Sequence, residues 1–365
     1  LEKIAIHVSG VTAGLICGYS FTFWFNAVEA EEYAPASLLL IGTLWLALYW
    51  QRSYDKPVSK RLLLVIAYLL SLSTGVHLLP LLVFPAILIF VLAVNWKEVK
   101  DWRLVLAVLA FIVLGVTPNL YLLLRSRLDP GINEVSPTTW RALWDMFGRK
   151  QYGAIPVLTN PIIPRRNAAG TDLSSLTAIL HQFRTWGRYF SWQYAPFPRA
   201  VVGDVTRFLS VGLTSILAFL GVYGLWRGFK NEATKERLPI LVALLVVVPV
   251  LLLALWFGLW LGGGMGKFAL RYAVCLAVLS WPIRWIVRSL RKHSLLLLYM
   301  SLFMVSFLLT AYMNLKFCPT DPLAIKNNWP TEVRARDYFY GPSFMLFSLF
   351  IGMGIHGCIS IFRKK

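Results

Sequence analysis

Long apolar runs separated by short, basic connections dominate the chain. The runs fall at Ile4–Phe25, Ala36–Trp50, Leu62–His77, Leu78–Trp96 and Leu104–Leu124. After a long polar interval they resume at Phe208–Trp226, Leu238–Leu261, Phe268–Val287, Leu295–Asn314 and Ser343–Phe362. The stretch from Leu62 to Trp96 exceeds one span of ~20 residues. His77, Pro80 and Pro85 predict that it breaks in two. The pattern predicts an all-α polytopic membrane protein of about ten transmembrane helices.

The connections test that count. Arg52, Lys56, Lys60 and Arg61 form one basic group, and Lys97, Lys100 and Arg103 the next. Arg227, Lys230, Lys235 and Arg237 follow, then Arg284, Arg288, Arg291 and Lys292, and finally the Arg363-Lys-Lys tail. All five fall on one face only if Leu62–Trp96 is two helices, and basic connections mark the cytoplasmic side. The opposite face then receives an acidic hairpin at 26–35, His77, the interval from Arg125 to Arg207, Gly262–Lys267 and a loop at 315–342. The chain divides accordingly into N-terminal helices (1–125), an outer loop (126–207) and C-terminal helices (208–365).

Composition agrees. The chain is 58% hydrophobic and 15% charged, with a mean hydropathy of +0.63, outside the soluble range. A net charge of +19 raises nucleic acid as a partner, but the basic residues recur between spans instead of gathering on one patch, which excludes it. Leu1 stands at the edge of a span with no initiator Met and no signal-peptide cleavage site, which favours truncation of a longer chain.

Within the outer loop, Trp140, Leu143, Trp144 and Phe147 stand at helical spacing. So do Leu173, Leu176, Leu180, Phe183, Trp186 and Phe190, with His181, Arg184 and Arg188 off that face. Aromatic-rich amphipathic helices of this kind lie in the membrane interface, so anchoring is preferred to substrate contact.

Acids are scarce, 17 against 36 Lys plus Arg, yet Glu29, Glu31 and Glu32 crowd one hairpin between two spans. A carboxylate at membrane depth usually faces a polar cavity; the alternative is a solvated acidic turn. Arg334 and Arg336 run against the charge bias just before the last span. Paired guanidiniums suit bidentate phosphate recognition; the alternative is structural pairing with Glu332 or Asp337. In an extended segment the two project to one side, with Tyr338 following. His77 ends a span on the same face, where a histidine can cap a helix break.

Other chemistries find no pattern. The five His are scattered singly, without paired-ligand spacing, so no metal site is assigned. Cys17, Cys275 and Cys358 lie in spans and Cys318 alone outside, which implies neither a disulfide framework nor zinc. Gly262-Gly-Gly-Met-Gly-Lys267 lacks the full phosphate-loop pattern and a preceding strand.

Five ordered stretches carry a resemblance. Phe23-Trp-Phe-Asn-Ala-Val-Glu-Ala-Glu-Glu-Tyr-Ala34, Leu72-Ser-Thr-Gly-Val-His-Leu-Leu79, Lys150-Gln-Tyr-Gly153, Tyr189-Phe-Ser-Trp-Gln193 and Val333-Arg-Ala-Arg-Asp-Tyr-Phe339 resemble a protein O-mannosyltransferase-like family of multi-pass membrane proteins. That resemblance implies a GT-C-type glycosyltransferase arrangement. It implies transfer of a sugar, typically mannose, from a polyprenyl-phosphate carrier to a protein on the outer or lumenal face, in a bacterial inner membrane or its equivalent. Glu29 and Glu31 resemble the second acidic pair of such enzymes, and Arg334, Arg336, His77 and Tyr338 are the expected donor-phosphate and sugar contacts. No cofactor is firmly implied beyond the lipid-linked donor as substrate, and a divalent metal stays open.

Two departures stand out. Relatives carry an upstream span and a loop with the main catalytic carboxylate, which is absent before Leu1. Lys150 replaces an acid in Gly148-Arg-Lys-Gln-Tyr-Gly153. The competing classes are a lipid-sugar binding or flippase-type transport protein, which needs a continuous polar path, and an inactive fragment of the transferase.

Overall fold

The computed structural model describes residues 2–29, 31–133, 135–147, 175–194, 204–232, 293–310, 315, 317–326, 328 and 331–362. Among these the fold is helical, with a lone parallel bridge between Phe317 and Thr331 in place of any strand. Six helical stretches are long and apolar enough to cross a membrane: Tyr33–Gln51, Val58–Gly75, Leu79–Lys100, Trp102–Ser126, Val211–Gly228 and Asp337–Phe362. A seventh is the pair α1 (Glu2–Gly18) and α2 (Phe21–Val28), bent by 60°. Ser294–Leu308 is apolar but shorter. The expected spans Leu238–Leu261 and Phe268–Val287, the Gly262–Lys267 turn and the Lys150 motif lie outside the described residues.

The first run is not the single span to Phe25 that hydropathy predicts. Ser20 is extended and its hydroxyl donates to Cys17 O at 2.7 Å, where α1 stops. Restarting as α2 leaves N–H groups without intrahelical acceptors. Gln193, far along the chain, takes two of them: its carbonyl accepts from Phe21 N at 3.0 Å and its side chain from Thr22 N at 3.1 Å.

The next elements follow the sequence closely. Helix α3 (Tyr33–Gln51) carries Pro35 in its first turn, where a missing N–H is harmless. Helix α4 (Val58–Leu72) ends in a 3-10 turn at Ser73–Gly75. The chain then breaks at His77, and α5 (Phe84–Asn95) follows a 3-10 turn at Leu79–Val83, with prolines at both starts. Splitting Leu62–Trp96 in two was therefore correct. Helix α6 (Trp102–Val116) is capped by Asp101, whose carboxylate accepts from Arg103 N and Leu104 N. It continues through a turn at Pro118 into α7 (Leu120–Ser126).

Contacts fix the two ends of the bundle. Lys60 at the start of α4 pairs with Asp101 at 2.5 Å, and Trp50 Nε1 donates to Ser59 Oγ at 2.8 Å, so the basic connections before α4 and α6 share one end. At the other, the Tyr33 and His77 rings are 5.1 Å apart. A core of leucines and aromatics between them includes Leu40, Leu44, Trp50 and Phe90, all almost wholly buried. This multi-pass arrangement is that of a membrane protein.

In the outer loop, α8 (Trp140–Phe147) buries Leu143 and exposes Trp140 and Trp144. Helix α9 (Ser175–Trp192) does more than lie in an interface. Its apolar face meets protein: Phe183 packs on Phe307 and Phe190 on Phe347, with ring centroids 4.8 and 5.0 Å apart. Arg184 reaches the fully buried Asp321 at 2.8 Å. Helix α10 (Asp204–Glu232) crosses the last helix, α13 (Gly341–Phe362), at glycines. A Cβ on Gly224 would stand 1.9 Å from Phe350 O, and one on Gly354 2.1 Å from Leu220 O. Helix α11 (His293–Phe303) passes into a π turn at Met304–Leu308, and α12 (Pro322–Lys326) lies in the second outer loop.

Candidate functional site

The hairpin between α2 and α3 and the segment entering α13 come together at the end of the bundle opposite the Lys60–Asp101 pair. Arg334 Nη1 lies 3.5 Å from Glu31 Oε1, with the guanidinium more than half exposed and the carboxylate about a quarter. Arg334 also covers the ring of Tyr338, 5.2 Å from its centroid. Arg336 Nη1 donates to the hydroxyl of the same tyrosine at 2.5 Å, and Arg336 Nε lies 3.5 Å from Glu332 Oε2. Both guanidiniums are thus tethered to one aromatic, on its face and on its hydroxyl. The hydrogen bond to Tyr338 holds Arg336 above the ordinary arginine range.

Behind this lies an aromatic floor. Tyr33 packs tilted against Tyr338 with ring centroids 4.7 Å apart, and Tyr338 against Phe339 at the same separation. Tyr33 also meets His77, whose Nδ1 accepts from Leu79 N at 3.0 Å. That bond serves the helix break. Tyr338, Tyr33, Tyr189 and Tyr340 are all buried, so Tyr338 presents no open face to a lipid chain. Burial pushes the Tyr189 phenol up, and its neutral hydroxyl accepts from Arg336 N at 3.0 Å.

Of the residues singled out from sequence, Glu31, His77, Arg334, Arg336 and Tyr338 meet around Tyr33. Glu29 is exposed at the C-terminus of α2. Glu32 is likewise exposed and lies at the N-terminus of α3. Arg336 takes Glu332 as its carboxylate partner; Asp337 does not pair with either arginine and turns inward, accepting from Thr22 Oγ1 at 2.6 Å. Thr22 and Gln193 carry no role in the sequence reading; the signal available was that Gln193 closes the fourth motif stretch. Among the described residues no three His, Cys, Asp or Glu side chains gather as a metal cage. A small pocket beside Thr22, Asn26, Tyr33 and Tyr338 holds about 20 Å³, room for about one water.

Four of the five motif stretches meet here: Tyr33 from the first, His77 from the second, Tyr189 from the fourth and Arg336 with Tyr338 from the fifth. Residues 1–100 match the family model described as the protein O-mannosyl-transferase TMEM260 N-terminal domain. That match includes the acidic hairpin and His77, and supports the O-mannosyltransferase-like resemblance drawn from the motifs. No curated protein matches the chain, and no solved structure does.

Proposed function

We propose that this chain is a membrane glycosyltransferase that moves a sugar, mannose by its resemblance, from a polyprenyl-phosphate carrier to a protein hydroxyl on the non-cytoplasmic face. The ten-span GT-C-like arrangement belongs to the same proposal. The observation that carries it is the meeting of Arg334 with Glu31, which lies in the stretch 1–100 that matches an O-mannosyl-transferase N-terminal domain. Inverting transfer needs a carboxylate to take the acceptor proton and a cation to meet the departing phosphate.

The roles follow from position. The acceptor oxygen attacks the anomeric carbon while its proton passes to Glu31 or Glu29. The bond from that carbon to the phosphate oxygen breaks, and its electron pair leaves on the lipid phosphate. Arg334 is the exposed cation that can meet that charge, with Arg336 beside it. Among the described residues these charged groups gather at one end of the bundle, which favours surface transfer over a polar path for a flippase.

The test uses the full-length protein in nanodiscs, with polyprenyl-phosphate mannose as donor and Ser/Thr-rich peptides as acceptors. Mass spectrometry should show one added hexose per transfer, abolished by Glu31→Gln. Donor consumption without peptide modification, or lipid flipping that survives Glu31→Gln, would overturn the reading.

A further inference from the structure

Behind the exposed charges lies a buried polar knot that the reaction itself does not use. Thr22, Gln193 and Asp337 are 2%, 1% and 7% exposed. The Thr22 hydroxyl donates to Asp337 Oδ2 at 2.6 Å across 315 positions of sequence. The same hydroxyl accepts from Gln193 Nε2 at 2.8 Å, while Gln193 Oε1 accepts from Thr22 N at 3.1 Å. Gln193 Nε2 also donates to Tyr189 O at 2.9 Å, and Asn26 Nδ2 donates to Thr22 O at 2.6 Å.

A carboxylate is a poor choice for simple packing. Well-packed apolar residues usually do as well or better than buried charge, and what polar groups add is a defined geometry. Here the geometry joins the two halves of the candidate site. Thr22 opens α2, the helix that ends at Glu29 and leads into Glu31. Asp337 directly precedes Tyr338, the ring that tethers both guanidiniums. Gln193 ties Thr22 to α9, whose Tyr189 hydroxyl accepts from the backbone N–H of Arg336.

We propose that Asp337, Thr22 and Gln193 are positioning residues that hold the acidic hairpin and the segment bearing Arg334 in fixed relation, so that Glu31 and Arg334 face the same reacting group. The proposal rests on the glycosyl-transfer reading. Burial keeps all three side chains away from substrate, so they act through Glu31 and Arg334. Misplacement of a catalytic group by about 1 Å can lower turnover about a hundredfold.

The experiment compares Thr22→Val, Thr22→Ser and Asp337→Asn in the full-length protein. Thr22→Val removes the shared hydroxyl at nearly constant volume. It should lower kcat for mannose transfer about tenfold or more while the Kd for polyprenyl monophosphate stays within about twofold, because the Arg334 and Arg336 tethers to Tyr338 remain. Thr22→Ser keeps the hydroxyl and should recover turnover. Hydrogen exchange should quicken in residues 21–32 in Thr22→Val and stay unchanged in residues 337–340. Wild-type kcat in Thr22→Val, or parallel loss of kcat and phosphate affinity that Thr22→Ser fails to restore, overturns the proposal. Asp337→Asn retains an oxygen acceptor for Thr22 and serves as the mild control. If Thr22→Val does not fold, Gln193→Leu, which removes both side-chain bonds to Thr22, takes its place; unchanged kcat and unchanged exchange there overturn the proposal equally. Absence of transfer in the unsubstituted protein defeats the transferase reading alone, because the exchange experiment still reads the positioning.

Discussion

Glu31 and Arg334 occupy opposite ends of the sequence and lie 3.5 Å apart as an ion pair in the candidate site. On the proposed reading, Glu31 competes with the donor phosphate for Arg334, and a bound phosphate would leave the carboxylate available to an acceptor hydroxyl.

Glu31→Gln is therefore expected to act with opposite signs on binding and turnover. An accessible pair of this kind contributes about 0.2–1 kcal/mol, so polyprenyl monophosphate should bind up to about fivefold more tightly. Transfer should fall about a hundredfold or more with the base gone. Binding by fluorescence titration and transfer by mass spectrometry measure the two separately. Loss of both together would remove Glu31 from competition with the phosphate.

The two arginines should separate in the same way. Arg334 is more than half exposed, so Arg334→Ala should weaken phosphate binding about tenfold and leave thermal stability near that of the parent. Arg334→Lys should recover part of the affinity, since it keeps charge and loses the planar fork. Arg336 is less exposed and joins Glu332 and Tyr338, so Arg336→Ala should lower the detergent melting temperature clearly. Equal effects of the two on both measurements would show that the site does not divide them.

Much of this was legible in the chain, and what was not has a common cause. The break at His77 and the helix pair around it follow from Pro80 and Pro85, which act on their own neighbours. The basic connections give both ends of the bundle because charge bias is read loop by loop. The bend after Gly18 was invisible, since the acceptor that stabilises α2 is Gln193, 171 positions away. Asp337 read as an arginine partner because the sequence shows only its neighbours; its actual donor is Thr22, from the far end of the chain. Helix α9 showed its amphipathic face correctly, but periodicity does not distinguish a lipid surface from the aromatics Phe307 and Phe347 that cover it.

The crossing of α10 and α13 depends on two glycines that touch backbone. A Cβ on Gly354 would meet Leu220 O at 2.1 Å, with no flexible side-chain end to give way. Gly354→Ala should force the helices apart, an overpacking effect of about 1–3 kcal/mol. A lower detergent melting temperature and lower yield are expected, while Gly10→Ala, with nothing nearby in the structure, should be neutral. Equal stability of both variants would mean that α10 and α13 do not cross so closely.

Sidedness provides the last test, and it bears on the whole arrangement. The contacts place Glu31, His77 and Arg334 at one end and Lys60 with Asp101 at the other. The bias of basic residues toward the cytoplasm then predicts that the first end is non-cytoplasmic. In a background with its four cysteines replaced by serine, Glu32→Cys and Val333→Cys should react with a membrane-impermeant maleimide added outside intact cells. Both positions are exposed, Val333 almost completely. Lys56→Cys, exposed in the connection between α3 and α4, should react only after the membrane is opened. Labelling of Glu32→Cys and Val333→Cys from opposite sides would break the Glu31–Arg334 contact and with it the candidate site. Labelling of all three from one side would end the membrane-spanning assignment of α3. Reaction of the first two only from inside would keep the site intact and move the transfer to the cytoplasmic face.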